Sequence, residues 1–341
     1  MRLLLTCLLL ACAPFPAIAQ AAAEPSPEPV QPIITDDGVL ELETMVVSGV
    51  QPGPGMWKVS KGDNVMWVIG TLTPLPRGMT WLARDVEAVI AQAQEVIQSP
   101  GVTAGSDIGM VRGALLIPSL LKARQNPGGE TLAQVLPPEL YSRWQALKPT
   151  YLGRDQGVEK WRPIFAAREL YEAAMKKAGL TESGVVGPVV RKAAKQHGVK
   201  STPSAVKIKI DKPKQAIKEF ASSSLGDQEC FAKTLGRIET DLPTMTARAN
   251  AWATGDIEAL RALPYDDQNR ACIDAVLETS IAKKRGMDGL AQRIEAAWLE
   301  TAEGALARNQ VTFATLPISL LLKRDGYLAK LRAKGYVVEE P

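Results

Sequence analysis

The amino-acid sequence predicts an α/β protein: a single domain whose mixed β-sheet is formed by N- and C-terminal segments, with a large helical middle. Three observations carry that reading. Two β-prone runs, "MWKVS" and "VMWVIG", are joined by Lys61-Gly62-Asp63-Asn64, a tight-turn sequence that marks a hairpin. The chain closes on another apolar strand (311–315), a helical stretch ended by Gly335, and a last strand (336–339). From roughly 109 to 305 the apolar spacing is mostly helical, so the sheet has to join strands from the two ends of the chain.

The chain begins "MRLLLTCLLLACAPFPAIAQ". Arg2 supplies a positive start, a short Leu-rich run follows, and Ala17-Ile18-Ala19 gives a small-residue cleavage pattern. Residues 1–19 therefore read as a secretory signal peptide, too short to span a bilayer. Lipid anchoring at Cys12, after Leu-Leu-Ala, is the alternative route. The expected location is periplasmic or secreted, with no transmembrane segment in the mature chain. Residues 20–52 read as a linker: Pro- and Ala-rich and without apolar periodicity over 20–38, then a short β-prone run. In that run Glu43-Thr44-Met45-Val46-Val47 resembles the TonB box, a segment that engages TonB by strand addition. An edge strand of the protein's own sheet is the plainer reading of the same residues.

The folded domain is assigned to 53–341. After the hairpin, a helix is expected from about Thr80, with Trp81, Leu82, Val86, Val89, Ile90, Ala93 and Ile97 on one stripe. The segment "EVIQS" at its end reads as a short buried strand, completing a β-β-α-β start. Further helices are expected in "PPELYSRWQALK", "PIFAARELYEAAMKKAG", "PVVRKAAKQHG", "KPKQAIKEFA" and "MDGLAQRIEAAWLETAEGALARN". Several begin at Pro and stop at Gly, the usual asymmetry of helix ends. "CFAKTLGRIETDLPTMTARANAWATGD" reads as a helix kinked or broken at Pro243. Trp144, Trp161, Tyr171, Trp252 and Trp298 lie at helical spacing among Leu and Ala and are assigned to the core.

Charge and cysteine usage narrow the function classes. Forty basic and 37 acidic residues leave a net charge of +3, which points to neither nucleic acid nor an anionic membrane as partner. Cys7 and Cys12 lie in the signal region, so Cys230 and Cys272 remain. An even pair in an oxidising compartment reads as one disulfide, closing a loop of about forty residues worth about 4 kcal/mol. Two separate buried thiols are the alternative.

Catalytic chemistry is hard to assemble from this inventory. His197, the only histidine, falls at a predicted helix C-terminus, where a capping or solvated role suits it. One histidine cannot make a His-paired zinc site, and no G-x-S-x-G turn marks a serine nucleophile. Gly101, Gly105 and Gly109 do not follow a phosphate-loop pattern. Of the carboxylates, Asp266-Asp267 and Glu339-Glu340 are adjacent pairs assigned to solvent, and Asp241, Asp256 and Glu258 sit on or at the starts of helices. Asp256, after Gly255, suits an N-cap. None has a spacing specific to a metal or to a glycosidase pair.

Several stretches together resemble one family. "MWKVSKGDNVMWVIGTLTPLP" looks like the opening of TraB/GumN proteins, where a hairpin leads into Gly-Thr-x-His. The helix and "EVIQS" resemble that family's helix and its glutamate-bearing strand. "ANAWATGDIEALRALP" resembles its W-x-x-G-D segment, and "FATLPISLLLKRDGYLAKLRAKGYVVEE" its ending. The resemblance covers about 56 to 340 and implies the mixed α/β fold described above. It also implies kinship with Tiki-like proteins, proposed metal-dependent proteases with two Gly-x-x-His motifs and acidic partners.

Carried over position by position, the chemistry is missing. The first motif reads Gly70-Thr71-Leu72-Thr73, with Thr73 in the histidine position. The strand glutamate falls near Ser99, beside Gln98. The second motif reads Pro317-Ile318-Ser319-Leu320, with Pro317 for glycine and Leu320 for histidine. A mid-chain glutamate is expected near 200–205, where "KSTPSA" has no carboxylate. Leucine has no lone pair to give, and neutral hydroxyls are poor zinc ligands. The expectation is a pseudoenzyme without metal, cofactor or catalytic residues. It would bind a peptide, glycan or envelope protein at a cleft formed by Gly70, Thr71, Thr73, Ser99, Pro317, Ser319 and Leu320. A hydrolase using other residues and an envelope-assembly protein engaging TonB through 43–47 are the alternatives.

Overall fold

In a computed structural model of the chain, the described residues are 33–34, 40–41, 49–105, 113–223, 225–263, 268–277, 282, 287 and 289–341. The chain divides into two compact units, Met1–Glu43 and Thr44–Pro341. In the first, β1 (Ile33–Ile34) and β2 (Leu40–Glu41) pair antiparallel. The signal segment 1–19 and the TonB-box-like segment 43–47 lie outside the described residues.

The second unit is built on a six-stranded mixed sheet. Strand β3 (Val50–Gln51) precedes the hairpin of β4 (Met56–Lys61) and β5 (Asn64–Thr71). The hairpin turn uses Gly62 at φ 62°, the left-handed value a tight turn requires and glycine adopts without cost. Short strands β6 (Leu75–Pro76) and β7 (Thr80–Trp81) lead to α1 (Arg84–Gln92), β8 (Glu95–Ile97) and β9 (Val102–Gly105).

The middle contributes helices α2 (Ile117–Ala123), α3 (Leu132–Val135), α4 (Pro138–Tyr151) and α5 (Pro163–Lys177). After them come β10 (Leu180–Thr181), α6 (Val186–Gln196), β11 (Lys200–Thr202), β12 (Val206–Lys209), α7 (Pro213–Ser222) and α8 (Gln228–Gly236). The rest comprises α9 (Leu242–Thr254), α10 (Ile257–Ala262), α11 (Gln268–Leu277) and α12 (Leu290–Arg308). The ending is β13 (Val311–Pro317), α13 (Ile318–Leu321), α14 (Tyr327–Ala333) and β14 (Val337–Glu339).

The main sheet runs β11-β8-β13-β5-β4-β14. Strands β11, β8, β13 and β5 are mutually parallel, β4 is antiparallel to β5, and β14 is antiparallel to β4. Strand β13 thus enters between β8 and β5 of the N-terminal half, and Val311 to Pro317 align with Val65 to Thr71. A central parallel strand is covered on both faces, which is why β13 buries Phe313, Ala314 and Leu316 in succession.

Two hydrophobic cores result. Around the sheet, α1 and α6 pack on each other, and α12 buries Trp298, Ala302, Ala305 and Leu306. A second core joins α3, α4, α5 and α8 through Leu132, Trp144, Leu170, Phe231 and Leu235. Helix α9 takes part in both, with Met245 in the helical core and Ala249 and Trp252 in the sheet core. The Sγ atoms of Cys230 on α8 and Cys272 on α11 stand 2.01 Å apart, a bonded pair that links those helices.

Several sequence expectations change. The helix expected from Thr80 starts at Arg84, because Thr80 and Trp81 pair in parallel with Val50 and Gln51. Ile97 leaves the helical stripe for β8. The region 109–305 holds β10, β11 and β12 as well as helices; β12 pairs in parallel with β9 in a sheet of its own. The helix broken at Pro243 changes register just before the proline, through a wide turn at Arg237–Asp241. Trp161 is half-buried under the Arg124 guanidinium, 3.9 Å from its ring centre, while Trp144, Tyr171, Trp252 and Trp298 are core.

Candidate functional site

The four parallel strands send their C-terminal ends the same way, and in such sheets ligands bind beyond those ends. Thr71 ends β5 and Thr73 follows it there, Ser99 follows β8, residues 203–205 follow β11, and Ser319 and Leu320 follow β13. The sheet topology therefore brings together both motif segments, the strand-glutamate position and the mid-chain position, though they are far apart in sequence.

The packing at this end is tight. A Cβ on Gly70 would lie 2.3 Å from Ile318 Cδ1, so glycine leaves the space that the buried Ile318 fills. Trp252 Nε1 donates to the Gly70 carbonyl at 2.9 Å, anchoring α9 to the end of β5. The Thr71 hydroxyl donates to the Leu316 carbonyl at 3.3 Å. Pro317, opposite Thr71, has no N–H to extend the ladder and closes β13 into α13. Ile318 and Leu321 are buried, Leu320 half-buried and Ser319 exposed. Thr73 is exposed, precedes Pro74 through a cis peptide, and turns its methyl group toward Gly184.

Several of the polar side chains are bonded to one another or to backbone carbonyls. Ser99 and Thr315 share a hydrogen bond of 2.9 Å between their hydroxyls. The Ser204 hydroxyl donates to the Gln98 carbonyl at 2.8 Å, and the Gln98 N–H donates to the Thr202 carbonyl at 3.0 Å. A serine becomes a nucleophile when a base takes its proton, and a neutral threonine hydroxyl does not serve. His197 caps α6, is exposed, and precedes β11, whose Lys200 pairs with Glu95 at the start of β8. That is the end of the sheet away from Ser99.

The residues at this end do not fit the metal that the resemblance implies. Threonine and serine hydroxyls and a leucine lack the charge and the imidazole or carboxylate donors of a zinc-like site. Among the described residues no group of three or more His, Cys, Asp or Glu is placed to hold a metal ion. The described carboxylates singled out from the sequence have partners of their own. Asp241 pairs with Arg237 at 3.2 Å and Arg248 at 3.5 Å, Glu258 with Arg261 at 2.8 Å, and Glu339 with Lys58 at 3.0 Å. Asp256 caps α10, accepting from the Ala259 N–H at 2.9 Å. The Glu340 carboxyl is held below its usual range chiefly by a hydrogen bond from Arg261, with Arg332 adding to it. Asp266-Asp267 lies outside the described residues.

One carboxylate escaped the sequence reading. Glu95 opens β8, 4% exposed, and accepts from Arg308 and Asn309 at 3.0 Å each and from the Thr202 hydroxyl. Burial alone would raise its pKa; the hydrogen bonds from Thr202, Asn309 and Arg308, with the Arg308 charge, outweigh that and hold it low. It is a structural anion fastening β8 to β11 and to the α12–β13 junction. Its signal was a glutamate heading a three-residue strand, Glu95-Val96-Ile97, that is buried throughout.

Two large clefts lie elsewhere. One of about 1090 Å³ runs between α2 and α7, and one of about 1000 Å³ borders α5 and residues 180–183. Neither is lined by Gly70, Thr71, Thr73, Ser99, Pro317, Ser319 or Leu320.

Comparison with known proteins gives one finding. The model of the TraB/PrgY/gumN family matches residues 55–340. No curated protein and no solved structure matches the chain.

Proposed function

We propose that this chain, which belongs to the TraB/PrgY/gumN family, is an exported, non-catalytic member acting by binding a peptide, glycan or protein partner of the cell envelope. One observation carries the reading. The strand ends that gather the motif positions named from the resemblance are closely packed, Gly70 on Ile318 and Trp252 on Gly70, while the side chains offered there are hydroxyls and leucine. On this reading these strand ends are the family's frame with its metal ligands replaced. Export is supported by the sequence of residues 1–19 and by the bonded pair Cys230–Cys272, a linkage typical of oxidising compartments. Among the described residues no helix is long and apolar enough to cross a membrane.

The reading is tested by assaying the full chain against peptide and glycan substrates with zinc, manganese or cobalt added, beside a Thr73→Ala/Ser99→Ala variant. No turnover above buffer is expected from either protein. Turnover abolished in the variant would return chemistry to this end of the sheet. Turnover that persists in the variant would also overturn the non-catalytic reading and move the site elsewhere.

A further inference from the structure

Helices α2 and α7 pack on each other, and a buried cation ties their C-terminal ends together. Arg162, 2% exposed, donates to the Gln125 carbonyl at 3.3 Å and to the Phe220 and Ala221 carbonyls at 2.9 and 2.8 Å. Gln125 lies just past the end of α2, and Phe220 and Ala221 lie in the last turn of α7, where a positive charge is favoured. The walls of the groove between the two helices are therefore set by the fold.

Each wall presents a regular row. On α7, Pro213, Ile217 and Ala221 are spaced four apart and form an apolar row along the groove, with Lys214 and Lys218 as a second row beside it. On the α2 side, Leu116, Ser119 and Lys122 are spaced three apart and line the facing wall. Ile117, Leu120 and Leu121 are exposed on another side of α2 and take no part. The groove holds about 1090 Å³, and the ten residues of α7 give that wall a length of about 15 Å.

The charge is one-sided. Lys122, Lys212, Lys214 and Lys218 line the groove and no carboxylate does. None of these lysines has an ion-pair partner among the described residues. The neighbouring carboxylates are engaged elsewhere: Asp211 pairs with Lys209 at 3.6 Å, and Glu219 accepts from the Gln215 amide at 2.8 Å. Lys214 and Lys218, one turn apart on α7, repel each other, and an anionic occupant relieves that repulsion.

We infer that the α2–α7 groove seats an acidic amphipathic helix of a protein partner, its apolar stripe on Leu116, Pro213, Ile217 and Ala221 and its carboxylates on the four lysines. A helix suits both rows. Carboxylates four apart on an adjoining helix match the spacing of Lys214 and Lys218, and a stripe at helical spacing covers a straight apolar row. The volume lies at the upper limit of compact small-molecule pockets, and the lysines are spread along the groove rather than gathered at one point. The inference gives chemistry to the partner in the binding reading above and rests on it. Turnover assays decide that reading, and peptide binding decides this one.

Fluorescence anisotropy of the full chain with a labelled synthetic peptide tests the inference. The peptide is helical and about fifteen residues long, with leucines along one stripe and glutamates on both flanks. Micromolar binding is expected, and it weakens with added salt because the lysines are exposed. A peptide of the same composition in scrambled order keeps the charge and loses the stripe; it is expected to bind at least about tenfold more weakly. Lys214→Gln/Lys218→Gln is expected to weaken binding about fivefold to tenfold. Ile217→Glu sets a carboxylate against the stripe and is expected to weaken it at least about tenfold. Unchanged unfolding midpoints identify the variants as folded, and the lysine variant, altered only at exposed positions, tests the groove even where Ile217→Glu fails to fold. Lys214→Glu/Lys218→Glu is expected to lose the acidic peptide and to take its counterpart with lysines for glutamates. No peptide binding, equal binding of the scrambled peptide, or binding that the lysine variants leave unaltered overturns the inference. Saturable binding of decanoate, a single-chain anionic amphiphile, in place of the peptide overturns it in favour of a small ligand.

Discussion

Trp252→Ala is expected to lower the unfolding free energy by about 3–5 kcal/mol, among the largest effects of any single substitution in the chain. The indole is fully buried, stands edge-on to Trp81 with ring centres 6.1 Å apart, and donates to the Gly70 carbonyl at 2.9 Å. Alanine leaves a cavity where α9 meets β5 and strips a buried carbonyl of its donor. Trp252→Phe separates the two contributions, because it keeps most of the ring volume and loses the N–H. Its expected cost is about 1–2 kcal/mol, read from urea unfolding midpoints at unchanged slope. A phenylalanine variant as stable as the parent would show that the bond to Gly70 contributes nothing. The candidate site depends on the same region, since the packing of Gly70 on Ile318 joins the two segments that the resemblance singles out.

Removing the bridge between α8 and α11 is the other large effect. Cys230→Ala/Cys272→Ala is expected to cost about 4 kcal/mol, because the pair closes a loop with a sequence separation of 42 residues. For a domain of this size that corresponds to a fall of about 7 °C in melting temperature. Cys230 is buried against the helical core beside Phe231, so the link fixes α11 to the best-packed part of α8. Reduction of the unmodified protein should produce the same fall, and the alanine variant should be indifferent to reductant. A parent protein whose melting does not respond to reductant would contradict the bridge.

Much of the fold was legible because its signals are local. The hairpin β4–β5 needed two apolar runs and a Gly-containing turn, and Asp256 needed only its place after Gly255 to be read as a cap. The spacing points to a helix start at Thr80 because Trp81 and Leu82 extend the apolar pattern of α1 backward. What fixes Trp81 in a strand is pairing with Gln51, a partner that spacing within the helix does not reveal. Strands β11 and β12 are short and half polar; the alternation Val206-Lys207-Ile208-Lys209 was available as a period-two signal, and its register with β9 was not.

The candidate site was legible only as positions. Composition and spacing say nothing of Ser99 meeting Thr315, which lies 216 residues away and becomes a neighbour because β13 enters between β8 and β5. The resemblance named Thr73, Ser99 and Leu320, and the parallel strand ends explain how such distant residues come to one side of a sheet. Glu95 was passed over because a buried carboxylate announces itself through its partners, Arg308, Asn309 and Thr202, which come from other parts of the chain.

The central claim is that this end of the sheet has the family's frame and no capacity to hold a metal. Elemental analysis of the full chain, purified without chelator and equilibrated with zinc and manganese, tests it most directly. The account predicts substoichiometric metal, unchanged by Thr73→Ala/Ser99→Ala. A stoichiometric ion that survives dialysis and is lost in that variant would contradict it.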